Sequence, residues 1–354
     1  MIQTEELIQT LTNAVGLSGY ESSIHHLIKS RFEPVSDEVR VSKVGSVIAW
    51  KRGAPAGDSP AKRLMLAAHV DEIGLIVSGI EKGFLRVSRV GGTDARHMLG
   101  QRVLVHPQGD GSGKNKPAPI PGVIGSRPPH VLPPAEREKV AGFDSLFVDV
   151  GLPARQVERL IQVGDLVSFD TQTIKLKGDR LTGKAMDNRV AVAAEIVCLD
   201  ELQRLRHTWD VAAVATVGEE TSFLGARTSA YELRPDAAIA IDVTFAAQHD
   251  YATHIELGKG PVITVGPNYH PKLTQRLIDT CKRLEMDYQI EPDIGGGTDA
   301  WPIQVSHDGV PVVLIGVPLR YMHSPVETVN VKDVERIGRL MAHFAAGLDD
   351  KVFN

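Results

Sequence analysis

The sequence is poor in cysteine and has no concentrated run of Lys and Arg residues. Its two cysteines, Cys198 and Cys281, stand in apolar segments of helical character, so we expect no disulfide framework and a reducing compartment. The net charge of −5 argues against a nucleic-acid partner, because phosphate binding needs a concentrated cationic surface. With so little thiol available, zinc would have to be bound by His and carboxylate side chains.

Long apolar runs are missing as well. No stretch reaches the roughly 20 apolar residues of a membrane-spanning helix, and the N-terminal segment MIQTEELIQTLTNAVG lacks the basic start and apolar core of a secretory signal. We therefore expect a cytoplasmic protein with no membrane partner. The charged fraction of 23% and the hydrophobic fraction of 42% are those of an ordinary globular chain, which excludes extended disorder.

The apolar pattern divides the chain into two kinds of segment. At roughly 150 residues per domain, 354 residues predict about two domains. From about residue 73 to residue 173, short alternating runs such as FLRVSRV and RVLVHP are separated by Gly, Pro and Asp, which predicts a small all-β module. Outside it, helical patterns alternate with apolar strands, which predicts an α/β sheet covered on both faces. The β module therefore interrupts a single α/β domain.

Side chains of the metal-binding type follow several of the predicted strands. The carboxyl ends of strands in such a sheet are where ligands gather. A single histidine after a strand is more often structural than a metal ligand, and Asp187 alone fits equally well as the N-cap of the following helix. The residues are His69 and Asp71 in AAHVDEIG, Asp187 in GKAMDNRV, Glu219 and Glu220 in TVGEE, Asp242 in AIAIDVT and His323 in RYMHSP.

Two of these groupings have a specific chemical reason. Asp71 follows His69 by two residues, so its carboxylate can accept the second imidazole N–H and fix the tautomer of a metal-binding histidine. Glu219 and Glu220 are adjacent in a stretch nearly free of other charge, where they repel each other unless a cation lies beside them. A solvated loop is the alternative for this pair. Adjacent residues point in different directions, so one can bind metal while the other faces a substrate as a base.

The motifs resemble a known family. HVDEIG, GKAMDNR, GEE, IDVT, GGTDA and RYMHSPVE, in this order, are similar to the motifs of the dinuclear metal-dependent aminopeptidases that include the glutamyl and lysyl aminopeptidases and the tetrahedral (TET) peptidases. Members of this family have also been named cellulase or endoglucanase. The resemblance covers essentially the whole chain. It implies a zinc-peptidase-like α/β/α catalytic domain with a mixed sheet at residues 1–72 and 174–354, interrupted by a barrel-like dimerisation domain at residues 73–173.

The resemblance also implies a ligand set. Asp187 bridges two divalent metal ions, of which one is completed by His69 and Asp242 and the other by Glu220 and His323. Such a shared carboxylate holds two ions about 3.5 to 4 Å apart. Zn²⁺ is the expected metal, with Co²⁺ and Mn²⁺ as alternatives, because His and carboxylate ligands do not decide between them.

Catalytic and pocket residues follow from the same resemblance. Glu219 is the expected general base for a metal-activated water, and Asp71 orients the metal-binding histidine. The residues Thr221, Ser222 and Phe223 depart from the family pattern, which usually has a small residue and a glycine there, so the shape of the neighbouring pocket is open. A glycine-rich segment is expected to line the substrate pocket, although a flexible turn explains it equally well. It contains Gly296, Gly297, Thr298 and Asp299.

The activity expected from this family is removal of N-terminal residues from short peptides with a free N-terminus, by self-associated dimers and tetrahedral dodecamers. A deacylase, carboxypeptidase or deblocking peptidase on the same scaffold is the first alternative. An endoglucanase is a weaker alternative, because a carboxylate pair suffices for glycoside hydrolysis and the predicted metal ligands would have no role. A non-enzymatic scaffold would leave the whole ligand set idle.

Overall fold

The computed structural model describes residues 2–54, 60–108, 117–295, 297–349 and 352–353. It divides into two compact units. The larger unit contains Met1–Asp71, Thr173–Met322 and Val326–Asn354, and the smaller contains Glu72–Gln172 and His323–Pro325. Within the described ranges, no helix is both long enough and apolar enough to cross a membrane.

The described helices and strands are numbered here in chain order. The helices are α1 (Thr4–Asn13), α2 (His25–Phe32), α3 (Ala154–Leu160), α4 (Met186–Leu202), α5 (Glu219–Ser222), α6 (Leu224–Leu233), α7 (Pro271–Arg283), α8 (Ala300–Gln304) and α9 (Val331–Ala346). The strands are β1 (Glu38–Val41), β2 (Val47–Lys51), β3 (Arg63–His69), β4 (Gly74–Glu81), β5 (Phe84–Val90), β6 (Arg102–His106), β7 (Ile120–Ser126), β8 (Leu146–Asp149), β9 (Leu166–Phe169), β10 (Ile174–Leu176), β11 (Arg180–Gly183), β12 (Asp210–Thr216), β13 (Ala237–Phe245), β14 (Val262–Val265), β15 (Gln289–Pro292), β16 (Val312–Arg320) and β17 (Glu327–Asn330).

The larger unit is built on one mixed sheet. Its strand order is β1-β2-β12-β3-β13-β16-β17-β11-β10, and β14 pairs with both β16 and β15. The central pairs β12–β3, β3–β13 and β13–β16 are parallel, as is β14–β15, whereas the pairs β1–β2 and β10–β11 at the two ends of the strand order are antiparallel. This is the mixed α/β sheet that the sequence predicted.

Side chains of the central strands alternate between two separate cores. In β12, Val211, Ala213 and Ala215 pack into the core that contains residues of α1, α4, α7 and α9. Ala212 and Val214 pack into the core that contains residues of α6 and α8. Successive side chains of a strand point to opposite faces of the sheet. An unbroken apolar run is therefore the pattern required of a strand covered by helices on both faces.

The smaller unit is a closed barrel of antiparallel strands. The strand order is β4-β5-β8-β7-β6-β9, and β9 pairs with β4 to close it. Alternate residues fill the interior, as Val103 and Val105 of β6 do, while the residues between them are more exposed. The predicted all-β, barrel-like module is confirmed.

One strand near the site is longer than the sequence pattern predicted. The apolar run AAIAI suggested that the strand ends just before Asp242, but β13 continues to Phe245 because its pairing with β16 continues to Leu319. The candidate ligand Asp242 therefore lies inside a strand, where the neighbouring strand fixes its backbone.

Candidate metal centre

The candidate site lies where three neighbouring strands of the large sheet approach their carboxyl ends. His69 is the last residue of β3 and stands opposite Thr216 of β12. On the other side, the β3–β13 register pairs Ala67 with Ala240. The same register, continued by two residues, puts Asp242 beside His69. Sheet pairing thus brings a histidine and a carboxylate together from distant parts of the chain.

Carboxylates gather around the imidazole of His69. Its Nε2 atom lies 3.1 Å from Oδ1 of Asp187, 3.7 Å from Oε2 of Glu219 and 3.9 Å from Oδ1 of Asp242. Two groups have potential ligand atoms that all lie within 4.8 Å of one another: His69 with Glu219 and Asp242, and His69 with Asp187 and Glu220. Nitrogen and oxygen donors in this combination suit a divalent transition metal or zinc.

Asp71 connects the histidine to the glutamate pair. Its carboxylate is fully buried and accepts the backbone N–H of Glu219 at 3.1 Å and that of Glu220 at 3.2 Å. Nδ1 of His69 lies 3.5 Å from Oδ1 of Asp71 and 3.1 Å from its backbone carbonyl oxygen. Burial alone would raise the pKa of Asp71, but His69, Ser18 and the N–H of Glu219 stabilise the anion, so its pKa is lowered.

The turn that carries the glutamate pair is fixed by the N-terminal segment. Oε1 of Glu21 accepts the N–H of Gly218 at 2.9 Å and that of Gly19 at 2.8 Å. The hydroxyl groups of Ser18 and Thr221 lie 2.9 Å apart. No motif in the sequence singles out Glu21 or Ser18. The available signal was a carboxylate and a hydroxyl within the glycine-containing turn GLSGYESS, which alone does not reveal a contact with residues about 200 positions away.

The start of α4 positions Asp187. Asp187 and Asn188 have non-helical backbone angles, and the peptide bond between them is cis. The backbone N–H of Asp187 donates to Oε2 of Glu327 at 3.1 Å, and Nδ2 of Asn188 donates to the carbonyl of Ile241 at 2.7 Å. The second bond joins α4 to the residue directly before Asp242, so the two candidate ligands are fixed relative to each other.

The electrostatics of the cluster favour a bound cation. Burial raises the pKa of Glu219 to about 10; His69 opposes this rise, whereas Asp242 and neighbouring carboxylates add to it. Burial also raises the pKa of Asp242 well above its usual value. Burial lowers the pKa of His69, but Glu219 and Asp187 outweigh burial and raise it well above its usual value. When ionised, these carboxylates would carry more negative charge than the one histidine can balance, and a bound metal ion would compensate that charge.

The predicted pocket segment divides into an open part and a buried part. Gly297 is exposed with free space around it, and Thr298 is half-buried. Asp299 is buried at the start of α8, and its Oδ2 accepts the hydroxyl of Thr216 at 2.5 Å. Burial raises the pKa of Asp299 to about 6. The residue Gly296 lies outside the described residues.

His323 belongs to the segment that clusters with the barrel. Its backbone is in the left-handed region, with φ of 60°. Its imidazole lies directly against Gly92, so closely that a Cβ atom at Gly92 would overlap Nδ1. Neither of the two ligand groups found among the described residues contains His323.

A mixed sheet that brings together His and carboxylate side chains able to hold a metal ion, in a chain that also forms a small β barrel, fits the class of metal-dependent α/β peptidases. The chain belongs to the M42 glutamyl aminopeptidase family, whose model matches residues 45–340. It is similar to the lysyl aminopeptidase of Pyrococcus furiosus, with 36% identity over 344 residues that cover 95% of this chain and 94% of the relative.

Solved structures give the same result. A TET aminopeptidase from a marine sediment Thaumarchaeota archaeon has a TM-score of 0.91 at 31% identity, with 99% of both chains covered. The TET1 peptidase of Pyrococcus horikoshii, which can assemble into a tetrahedron or a large octahedral shell, has a TM-score of 0.83 at 29% identity. The alignment covers 98% of this chain and 100% of that one. The predicted family is therefore confirmed.

Proposed function

We propose that this aminopeptidase removes the first residue of short peptides with a water activated by two divalent metal ions. The observation that carries the proposal is the pair of ligand groups that share His69. The N and O donors fit Zn²⁺, with Co²⁺ and Mn²⁺ as alternatives. When bound, the ions would lower the pKa of a water molecule and polarise the scissile carbonyl.

The proposed ligands are those that the sequence motifs predicted. Asp187 would bridge the ions, His69 and Asp242 would complete one site, and Glu220 and His323 the other. The 3.1 Å approach of Asp187 to His69, and the grouping of Glu220 with both, support the shared position of Asp187. The motif RYMHSP is the support for His323.

Glu219 would act as the general base and Asp71 as a positioning residue. Burial gives the carboxylate of Glu219 a high proton affinity, which suits a group that takes a proton from water and passes it to the leaving amine. The hydrogen bonds from the backbone N–H groups of Glu219 and Glu220 to Asp71 set the direction in which the two glutamate side chains project.

The substrate would be a peptide with a free N-terminus, whose α-amino group the carboxylates of the site attract. Gly296, Gly297, Thr298 and Asp299 are proposed to line the pocket for the first residue. The family description and the name of the Pyrococcus furiosus relative specify first residues of opposite charge, glutamyl and lysyl. The preference of this chain must therefore be found in its own residues.

A peptide library tests the proposed activity. We expect the metal-loaded protein to contain two ions per chain, as measured by inductively coupled plasma mass spectrometry. It should shorten peptides with a free N-terminus one residue at a time, and cleavage should stop when a chelator is added. Peptides that begin with an acetyl group should stay intact. Loss of acetylated ends would instead indicate a deacylase or deblocking enzyme, and chelator-insensitive cleavage of a glucan would indicate an endoglucanase.

We also propose that residues 73–173 form a dimerisation domain and that dimers assemble into a tetrahedral dodecamer in the cytoplasm. The assembly of the Pyrococcus horikoshii TET1 peptidase supports the oligomer, and the buried free thiols of Cys198 and Cys281 fit a reducing compartment. Native mass spectrometry is expected to give a dodecamer. A monomer across micromolar concentrations would contradict the assembly.

A further inference from the structure

Two carboxylates near the candidate site have only uncharged partners. The carboxylate of Glu291 lies 2.8 and 2.7 Å from the hydroxyl of Thr244. In Asp293, Oδ2 accepts the phenol of Tyr269 at 2.7 Å and Oδ1 accepts the N–H of Gly295 at 3.0 Å. In the described part of the chain, no Lys, Arg or His nitrogen lies within 4.0 Å of either carboxylate. Both side chains are partly exposed, so a solute can reach them.

The pair lies on the metal-site side of β13. Thr244 follows Asp242 by two residues, so their side chains project from the same face of the strand, about 7 Å apart along it. Glu291 accepts a hydrogen bond from the hydroxyl of Thr244, and Thr244 lies two residues along β13 from the proposed ligand Asp242. Burial raises the pKa of Tyr269, and the charges of Asp293, Glu291 and Asp242 raise it further, so all three carboxylates act on one phenol.

Close backbone packing fixes the position of the pair. A Cβ atom at Gly316 of β16 would lie 2.9 Å from Cγ2 of Thr244 and 3.2 Å from Cβ of Val262. A glycine at position 316 therefore leaves the space in which Thr244 of β13 and Val262 of β14 pack against β16. A Cβ atom at Gly266 would overlap the carbonyl oxygen of Asp293, whose N–H also donates to Val265 at 2.9 Å. Close packing therefore holds β15, which carries Glu291, and Asp293, the residue that follows it.

Hydroxyl and amide donors stabilise a carboxylate without neutralising it, so two negative charges remain close together. We propose that Glu291 and Asp293 bind the side-chain ammonium or guanidinium of a basic first residue, lysine or arginine. This inference rests on the proposed aminopeptidase function, in which the α-amino group and scissile bond lie at the metal cluster. The long stems of Lys and Arg allow the charged end to reach away from that cluster toward β15.

The test compares cleavage of lysyl and norleucyl aminomethylcoumarin substrates. Norleucine has the four-carbon side chain of lysine without the ammonium group, so the comparison separates the effect of charge from that of side-chain length. Each substrate has a single residue before the reporter, so any preference belongs to the first residue. We expect kcat/KM for lysyl and arginyl substrates to exceed that for norleucyl by about tenfold or more, as for a hydrogen bond to a charged group. Glu291→Gln and Asp293→Asn should each reduce the ratio, and the double variant should abolish it.

Cleavage of the norleucyl substrate serves as the folding control, since it should change less than about twofold in these variants. Glu256→Gln is the matched control, because Glu256 is an exposed carboxylate shortly before β14 and should leave the ratio unchanged. A wild-type enzyme that cleaves norleucyl as well as lysyl substrate would overturn this inference alone, as would a ratio that survives the double substitution. Cleavage of neither substrate, nor of a leucyl one, would overturn the proposed function and this inference with it.

Discussion

Replacing Glu219 with glutamine is expected to reduce kcat by about 10²- to 10⁴-fold while the protein still binds close to its full complement of metal. Glutamine keeps the size of the side chain but cannot take a proton from water. Its carbonyl oxygen preserves a polar atom toward His69, which lies 3.7 Å from the carboxylate. The measurement pairs turnover of a leucyl substrate with titration calorimetry of metal binding.

The location of Glu219 makes this test necessary. Glu219 belongs to one of the two ligand groups, with His69 and Asp242, so its geometry also allows it to bind metal. If Glu219→Gln loses an ion together with its activity, Glu219 is a ligand and not the base. If Glu219→Gln retains both its activity and its metal, Glu219 is neither the general base nor a metal ligand. Glu158→Gln changes an exposed carboxylate of α3 in the same way and should alter neither quantity.

Replacing Asp71 with asparagine is expected to weaken metal binding by about 10- to 100-fold. The two carboxylate oxygens of Asp71 accept the N–H groups of Glu219 and Glu220, and one also faces Nδ1 of His69. Asparagine has one such oxygen, so its NH₂ group must face a donor. The unsatisfied buried group should also lower the free energy of unfolding by about 1–3 kcal/mol. Metal titration and thermal unfolding of the metal-free protein measure the two effects.

Asp165 provides a matched control within the barrel. Its buried carboxylate accepts the N–H of Gln108 and that of Gln162, both at 2.9 Å, just as Asp71 accepts two N–H groups. Asp165→Asn should therefore cost similar stability and leave the metal affinity of the cluster unchanged. Equal losses of affinity in both variants would show that Asp71 contributes only to folding.

The sequence was sufficient to predict the family, the α/β sheet and the barrel, because apolar periodicity and local motifs can be read from one sequence alone. Strand bounds were less predictable. Asp242 looked like the residue after a strand because the apolar run stops there, but the pairing of β13 with β16 continues to Phe245. Hydrogen bonding across the sheet, and not hydrophobicity, decides where such a strand ends.

Residues that act through distant partners could not be predicted. Glu21 supports the turn at Gly218, and Glu291 contacts Thr244, but neither belongs to a motif of fixed spacing. Their positions depend on which segments the folded sheet brings together. The sequence pointed to Asp299 as a pocket residue, and the structure buries it with a hydrogen bond to the hydroxyl of Thr216 at the carboxyl end of β12. Whether it also contacts substrate stays a prediction.

The central position of β3 has a consequence for how the chain folds during synthesis. β3 pairs with β12 and β13, yet the whole barrel and α4 are made between β3 and those strands. Pairing between strands far apart in the sequence has to overcome the entropy of closing a long loop before any contacts form, so these strand pairs form late. While the ribosome makes the barrel, the apolar strand that ends at His69 has neither of its parallel neighbours. Assembly of the catalytic centre must therefore wait until β13 has emerged, and an incomplete chain has no means of acting prematurely on peptides around it.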